Sequence, residues 1–87
     1  MGEAGDGMRR DHVGRNPEDM MRFASNLRRV MRKKQVTQMS LSIRTGTSPS
    51  AVCLWCQGRS VPYATTLKRI ALALRCSCDE LLEGVGE

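Results

Sequence analysis

Apolar residues recur every three or four positions in several short segments of the chain, a spacing that places them on one face of a helix. The first such segment begins at Asn16-Pro17-Glu18, which combines a helix cap, a first-turn proline and an acid at the positive end of the helix dipole. Its inward face carries four large apolar residues: Phe23, Leu27, Val30 and Met31. The pattern predicts an amphipathic first helix.

Two shorter helices are predicted to follow, joined by a tight turn. Thr37 can cap a second helix, Gln38–Thr45, because its hydroxyl can accept from the first free amides. Gly46 can end that helix, since glycine easily adopts the left-handed backbone conformation found there. We expect Leu41 and Ile43 to face inward from this helix.

The third helix is predicted at Pro49–Gln57, with Ser48 as its cap and proline at its first position. Val52 and Trp55, three positions apart, form its apolar pair. Helices this short bury little surface alone, so the pair needs a scaffold. A second helix that stands out beyond the first is the geometry that enters the DNA major groove.

Two more helices complete the predicted fold. Gly58 and Pro62 interrupt the chain before a fourth helix at 64–74, whose apolar residues again have helical spacing. Ser77 and Glu80 then have the spacing of a capping box, which opens a short fifth helix. That helix is expected to end near Glu83 and to carry two leucines: Leu81 and Leu82. With no strand pattern, the sequence predicts an all-α fold of five helices.

The predicted helices form one domain, 16–83. It is preceded by residues 1–15, which are polar and glycine-rich, and followed by a C-terminal tail, 84–87. We expect residues 1–15 to be disordered, either as a leader without function or as a basic arm that follows DNA. The basic residues of that arm are Arg9, Arg10 and Arg15. Of the two interpretations, the sequence favours the leader.

Positive and negative charges are segregated along the chain, whose net charge is +5. Residues 20–78 contain no Asp or Glu, and all nine acidic residues lie outside them. The same stretch carries eleven basic residues: Arg22, Arg28, Arg29, Arg32, Lys33, Lys34, Arg44, Arg59, Lys68, Arg69 and Arg75. Because like charges repel and weaken folding, this excess favours a polyanionic partner over an ordinary solvated surface.

A membrane is a weaker candidate for that partner. No predicted helix joins a basic face to exposed bulky apolar residues, and no apolar run approaches the roughly 18 residues that span a bilayer. The start of the chain also lacks the apolar centre of a secretory signal. We therefore expect a cytoplasmic, nucleoid-associated protein whose four cysteines stay reduced.

Many positions between residues 27 and 82 match one known family in order and spacing. They are Leu27-Arg28, Thr37-Gln38, Leu41, Gly46, Ser48, Val52, Gly58, Pro62, Thr66-Leu67, Ile70-Ala71, Ala73-Leu74, Ser77 and Glu80-Leu81. This string resembles the phage repressor and Cro family, the xenobiotic-response-element type of helix-turn-helix protein. The resemblance implies a compact, lambda-repressor-like DNA-binding domain that works as a dimer on a two-fold operator.

The resemblance also implies roles for residues of the second and third helices. The side chains expected to face base edges are Ser48, Pro49, Ser50 and Leu54. Those expected to contact phosphates are Thr37, Gln38, Gln57, Arg59, Arg28 and Arg44. Because Pro49 has no donor and Leu54 offers only apolar contact, much of the affinity would be electrostatic. Specificity would then come from thymine methyl groups, DNA shape or the arm.

The sequence departs from the family at one paired position. The family often pairs an Arg late in the first helix with a Glu near the end of the third, and the corresponding residues here are Met31 and Cys56. Both charges are lost together, so no charge is left unpaired and the fold is expected to persist. Dimerisation is expected around the turn between the last two helices and the C-terminal end, at Cys76, Leu81 and Leu82.

The four cysteines have C-x2-C and C-x-C spacings that could bind zinc: Cys53, Cys56, Cys76 and Cys78. Against a zinc site, the first pair falls inside a predicted helix, and Cys56 and Cys76 occupy inward positions of the family pattern. We therefore expect small buried hydrophobic residues with one or two free surface thiols, and neither a metal nor another cofactor.

No catalytic constellation of Ser, His and carboxylate falls in the predicted helices, and no phosphate loop or dinucleotide fingerprint occurs, so the sequence does not indicate an enzyme. It predicts a transcription regulator, a repressor that binds double-stranded DNA as a homodimer. Two alternatives stay open. One is an antitoxin or operon autoregulator that also binds a partner protein, and the other is a protein-binding module that uses Cys53 and Leu54.

Overall fold

The computed structural model describes residues 16–86, and the predicted leader or arm at 1–15 lies outside them. Five helices follow one another in this part of the chain: α1 Pro17–Lys34, α2 Gln38–Thr45, α3 Pro49–Gln57, α4 Ala64–Leu74 and α5 Cys78–Leu81. The prediction of an all-α fold is confirmed. The fifth helix is shorter than expected, because it ends at Leu81 rather than near Glu83.

Four of the helices begin at the predicted caps. In each case the cap side chain accepts a hydrogen bond from the backbone N–H three residues further on; these caps are Asn16, Thr37, Ser48 and Ser77. At the other ends of α2 and α3, Gly46 and Gly58 have φ angles of 70° and 75°, as predicted. Both ends of the helix-turn-helix pair therefore depend on bonds within a few residues, which is why its boundaries could be predicted.

An aliphatic core lies between the helices. The four predicted inward residues of α1 are all buried. The other helices add Leu67, Ile70, Ala71 and Leu74 from α4, and Leu41, Val52, Trp55 and Leu81 from α2, α3 and α5. Helix α1 packs against α3 and α5, while α2 packs against α3 and α4. The short α2 and α3 thus obtain the scaffold that they lack alone, because α4 packs against α2 and α1 packs against α3.

The expectation that Ile43 faces inward is wrong, because its side chain is 73% exposed. Leu41 and Ile43 are two positions apart, and a helix turns such residues to different faces. Ser42 and Thr45 occupy the inward positions instead. Their hydroxyls donate to backbone carbonyls of the same helix, that of Met39 at 2.7 Å and that of Leu41 at 2.8 Å. Polar side chains can be buried here because they keep these bonds.

The last described residues lie against α1, where the sequence predicted a tail. Asn26 Nδ2 donates to the carbonyl oxygens of Leu81 at 3.0 Å and Glu83 at 2.9 Å. The backbone N–H of Gly86 donates to Asp19 Oδ1 at 3.0 Å. Asn26 and Asp19 are both buried. They join the end of the chain to its first helix and so position α5 on the domain.

Candidate nucleic-acid interface

The N-terminal ends of α2 and α3 are exposed and carry no acidic residue in their first turns. Helices α1 and α5, in contrast, each have two acids there. A helix N-terminus carries partial positive charge and unpaired N–H groups, so an anion is stabilised beside it. The chain compensates this charge itself in α1 and α5 but leaves it uncompensated in α2 and α3, and also in α4.

The four residues predicted to face bases lie on the exposed side of α3. Ser48, Pro49 and Ser50 are exposed at its start, and Leu54 is 41% exposed one turn later. Ser50 and Leu54 are four positions apart and therefore share a helix face. The Ser48 hydroxyl accepts the N–H of Ala51 at 3.1 Å, so it keeps its own hydrogen for donation outward.

Four of the residues predicted to contact phosphates flank this face. Thr37 and Gln38 are exposed at the start of α2, and Gln57 and Arg59 are exposed at the end of α3 and just beyond it. The Thr37 hydroxyl caps α2 by accepting the N–H of Ser40 at 3.1 Å. The two groups therefore lie at the two ends of the helix-turn-helix unit, and both face solvent.

The other two predicted phosphate contacts have structural partners that sequence reasoning did not assign. Arg28 Nη1 donates to the Cys56 carbonyl oxygen in the last turn of α3. Arg44 Nη1 donates to the Ala73 carbonyl oxygen near the end of α4, at 3.3 Å. A cation at a helix C-terminus pairs with free carbonyls and with the negative end of the dipole. Both arginines thus join one helix to another.

The basic residues are mostly unpaired within the described chain. Two ion pairs join described residues, Arg22 with Glu18 at 3.8 Å and Arg29 with Glu83 at 3.3 Å. Of the remaining basic residues in 20–78, none has a described carboxylate within ion-pair distance; they are Arg28, Arg32, Lys33, Lys34, Arg44, Arg59, Lys68, Arg69 and Arg75. This unbalanced charge gives the surface a positive field that attracts polyanions.

Met31 and Cys56, which replace the family's charged pair, are both buried and in contact. The Cys56 Sγ lies 3.8 Å from the Met31 Sδ. Burial raises the pKa of the Cys56 thiol above its ordinary value of 9.0; the charge of Arg28 lowers it, and nearby Cys53 raises it. The thiol is therefore neutral at physiological pH, and the pair acts as an apolar contact between α1 and α3.

The other three cysteines are partly exposed free thiols: Cys53, Cys76 and Cys78. Burial raises the pKa of the Cys76 thiol, with further rises from Glu80 and Cys78 that Lys34 opposes. Among residues 16–86, no three His, Cys, Asp or Glu side chains group closely enough to hold a metal ion. Nor is any helix there long and apolar enough to cross a membrane.

The residues predicted for dimerisation differ in their exposure. Leu81 is 0% exposed and belongs to the core, so its side chain cannot reach a second copy of the folded domain. Cys76 and Leu82 are partly exposed at the same end of the molecule. Of the three residues predicted for dimerisation, only Cys76 and Leu82 are therefore accessible to a second copy.

The chain matches the sequence profile of a known protein family. The sequence profile of the Cro/C1-type HTH DNA-binding domain matches residues 26–87, which include all of α2 to α5 and the second half of α1. No curated protein matches the chain.

Several solved structures are similar to this one. The restriction-modification controller protein C.AhdI from Aeromonas hydrophila is 25% identical, with a TM-score of 0.70 over 74% of this chain and 97% of its own. The SOS-response transcriptional repressor LexA from Eubacterium rectale is 24% identical, with a TM-score of 0.71 over 76% of this chain and 70% of its own. An HTH_3 family transcriptional regulator from Vibrio cholerae is 22% identical, with a TM-score of 0.69 over 75% of this chain and 36% of its own. The last two similarities show a shared fold.

Proposed function

Because the chain belongs to the Cro/C1-type helix-turn-helix DNA-binding family, and so to DNA-binding transcription regulators, we propose that it is a repressor that binds a two-fold operator as a homodimer. In this proposal α3 enters the major groove and the bound dimer blocks a promoter. The observation that carries the proposal is that the N-terminal ends of α3 and α2 are both exposed and free of acidic residues.

The side chains on α3 favour a particular mode of reading. The hydroxyls of Ser48 and Ser50 can pair with several bases, and Pro49 cannot donate, so these positions discriminate weakly. Leu54 offers an apolar contact that suits a thymine methyl group. Most of the affinity would then be electrostatic. If each copy neutralises two or three phosphates, the slope of log K against log salt for the dimer is roughly −4 to −5.

Dimerisation is proposed at the end of the molecule that holds the turn from α4 to α5. Cys76 and Leu82 are its partly exposed apolar residues. Asp79 and Glu80 are exposed there and would repel DNA phosphates, which keeps this end away from the duplex and free for a second copy. A sedimentation mass of a single chain, measured on DNA with two half-sites, would contradict a dimer.

The test is selection of duplexes from a random pool at near-physiological salt, followed by a salt titration. A two-fold motif with half-sites about one helical turn apart is expected. Arg59→Ala should weaken binding to all duplexes by a similar factor, whereas Leu54→Ala should change the preference at one base position. Arg69→Ala removes the same charge from α4 and serves as the control; it should leave operator affinity within about twofold.

The possible failures are informative. Binding without enrichment, with a steep fall in salt, would mean that α3 does not read bases. No binding even at low salt would refute the DNA interface itself. If the Arg59→Ala variant binds DNA with unchanged affinity, Arg59 at the end of α3 does not contact a phosphate.

A second candidate function is regulation of the chain's own operon. C.AhdI, a restriction-modification controller of which 97% is covered here, consists of little more than the matching domain, so a controller can be built from this domain alone. If the chain regulates its own operon, the selected operator should lie upstream of its gene. Co-purification with the product of an adjacent gene would instead support an antitoxin that also binds a partner protein.

A further inference from the structure

A second basic surface lies at the C-terminal ends of α2 and α4. Two adjoining depressions share Arg44, Ala73 and Arg75, and together they form a shallow groove. We call it the basic groove and define it by six residues: Lys34, Arg44, Arg69, Leu72, Ala73 and Arg75. Four of these are cations, and none has a described carboxylate within ion-pair distance.

Two of the cations are held in place by the end of α4. Lys34 Nζ donates to the Arg75 carbonyl oxygen at 3.3 Å, and Arg44 Nη1 donates to the Ala73 carbonyl oxygen at 3.3 Å. These carbonyls belong to the negative end of the α4 dipole, which has no basic residue of its own in its last turn. The positive rim of the groove is therefore ordered by the fold before any partner binds.

The floor of the basic groove is apolar. Leu72, which is 70% exposed, and the partly buried Ala73 line one of the two depressions together with Arg44, Arg69 and Arg75. A single exposed leucine is ordinary on a protein surface, but this one lines the same depression as three arginines, which solvation alone does not explain. A phosphate backbone would pair with the cations and gain nothing from Leu72. A segment with both carboxylates and a bulky apolar side chain would use the whole surface.

The basic groove is separate from the proposed DNA interface. Bases are expected at the N-terminal end of α3, and phosphates at the start of α2 and the end of α3. Arg44, which the family resemblance also places on a phosphate, lies in the last turn of α2 and donates to the Ala73 carbonyl oxygen there. A helix of eight residues is about 12 Å long, so the two ends of α2 can serve different partners at once. This separation means that the groove does not depend on whether the chain reads DNA.

We propose that the basic groove docks an acidic, amphipathic segment of a partner protein, with carboxylates on the Lys34, Arg44, Arg69 and Arg75 side chains and an apolar side chain on Leu72. Such a surface would let a second protein bind the regulator while its helix-turn-helix face stays open.

The experiment is a selection of 12-residue peptides from a random displayed library, using the full chain as target at near-physiological salt. Selected peptides should be enriched in Asp and Glu around one or two bulky apolar residues. Synthetic copies should bind the variants Arg69→Glu and Leu72→Ser at least about tenfold more weakly than the wild-type chain. Arg59→Ala, which alters the proposed DNA interface, should bind them as the wild-type chain does.

Arg69 and Leu72 are both exposed, so the two variants are expected to fold. A thermal melt of each variant checks that a loss of binding is not a loss of structure. The proposal is overturned if no peptide is enriched, if the winners lack acids, or if they bind Arg69→Glu as tightly as the wild-type chain. It is also overturned if Arg69→Glu weakens binding to a random 20-base-pair duplex by the factor that Arg59→Ala does, since the groove would then be part of the nucleic-acid surface. Peptide binding that fails while operator binding persists would leave the proposed function intact.

Discussion

Replacing Asn26 by alanine is expected to destabilise the domain, because this side chain joins α1 to the end of α5. Its Nδ2 donates to two carbonyl oxygens, that of Leu81 at 3.0 Å and that of Glu83 at 2.9 Å. Asn26 is only 6% exposed, and the bond to Leu81 is buried. The alanine variant leaves both acceptors without their donor.

The magnitude follows from where the two acceptors lie. A buried acceptor left unpaired costs about 1–3 kcal/mol, whereas a partly buried one can recover a bond to water and costs about 0.5–1 kcal/mol. Alanine's better helix propensity offsets about 0.5 kcal/mol of this loss. The expected net loss is about 2 kcal/mol in the free energy of unfolding, which lowers Tm by about 10–15 °C for a domain of this size.

The assay is urea unfolding followed by circular dichroism at 222 nm, at one protein concentration so that any self-association is constant. Ser25→Ala is the matched control. Ser25 is the exposed neighbour of Asn26 on the same helix, and its replacement changes helix propensity in the same direction without removing a bond. The reasoning is refuted if Asn26→Ala and Ser25→Ala have free energies of unfolding within about 0.5 kcal/mol of each other.

Four further changes test the backbone and the buried thiol. Gly46→Ala should cost about 1 kcal/mol in urea unfolding from its positive φ alone, since its surroundings are open. Gly58→Ala should cost a similar amount, because the added Cβ would overlap only the sulfur of Met21, a half-exposed side chain that can rotate away; a loss larger by about 1 kcal/mol would contradict this. Arg75→Gly should raise the free energy of unfolding by about 1 kcal/mol, since Arg75 has a φ of 54°, and a loss would show that its side chain stabilises the fold. Burial raises the pKa of Cys56 above its ordinary value, so the unfolded chain loses its thiol proton first, near pH 9, and stability should fall as pH rises above that value. In urea unfolding between pH 8 and 10 with reductant present, Cys56→Val should show a smaller fall, and an unchanged slope would refute this assignment.

The helix boundaries could be predicted because their causes are local. A cap such as Ser48 bonds to an N–H three residues away, and Gly46 ends α2 by its own backbone freedom. The same holds for the segregation of charge, which is a property of chain order. The helix-turn-helix pair could therefore be predicted from residues 37–58 without knowledge of tertiary contacts.

Other features could not be predicted because they depend on which neighbour a side chain meets. The inward face of α2 carries Ser42 and Thr45 rather than Ile43, since hydroxyls that bond to their own helix can be buried at little cost. Apolar periodicity over eight residues cannot reveal this, because two polar residues hold core positions and one apolar residue is exposed.

The sequence by itself determined five helices, four of them with side-chain caps, a mostly aliphatic core and a positive central stretch, because these follow from bonds between near neighbours and from composition. Only the tertiary structure decided which hydrogen-bond partners the polar side chains of different helices have. Arg28 and Arg44 bond to carbonyls 28 and 29 residues away, and Asn26 bonds to carbonyls 55 and 57 residues away. Such partners are adjacent in space only after the helices have packed, so no local pattern of residues could have identified them.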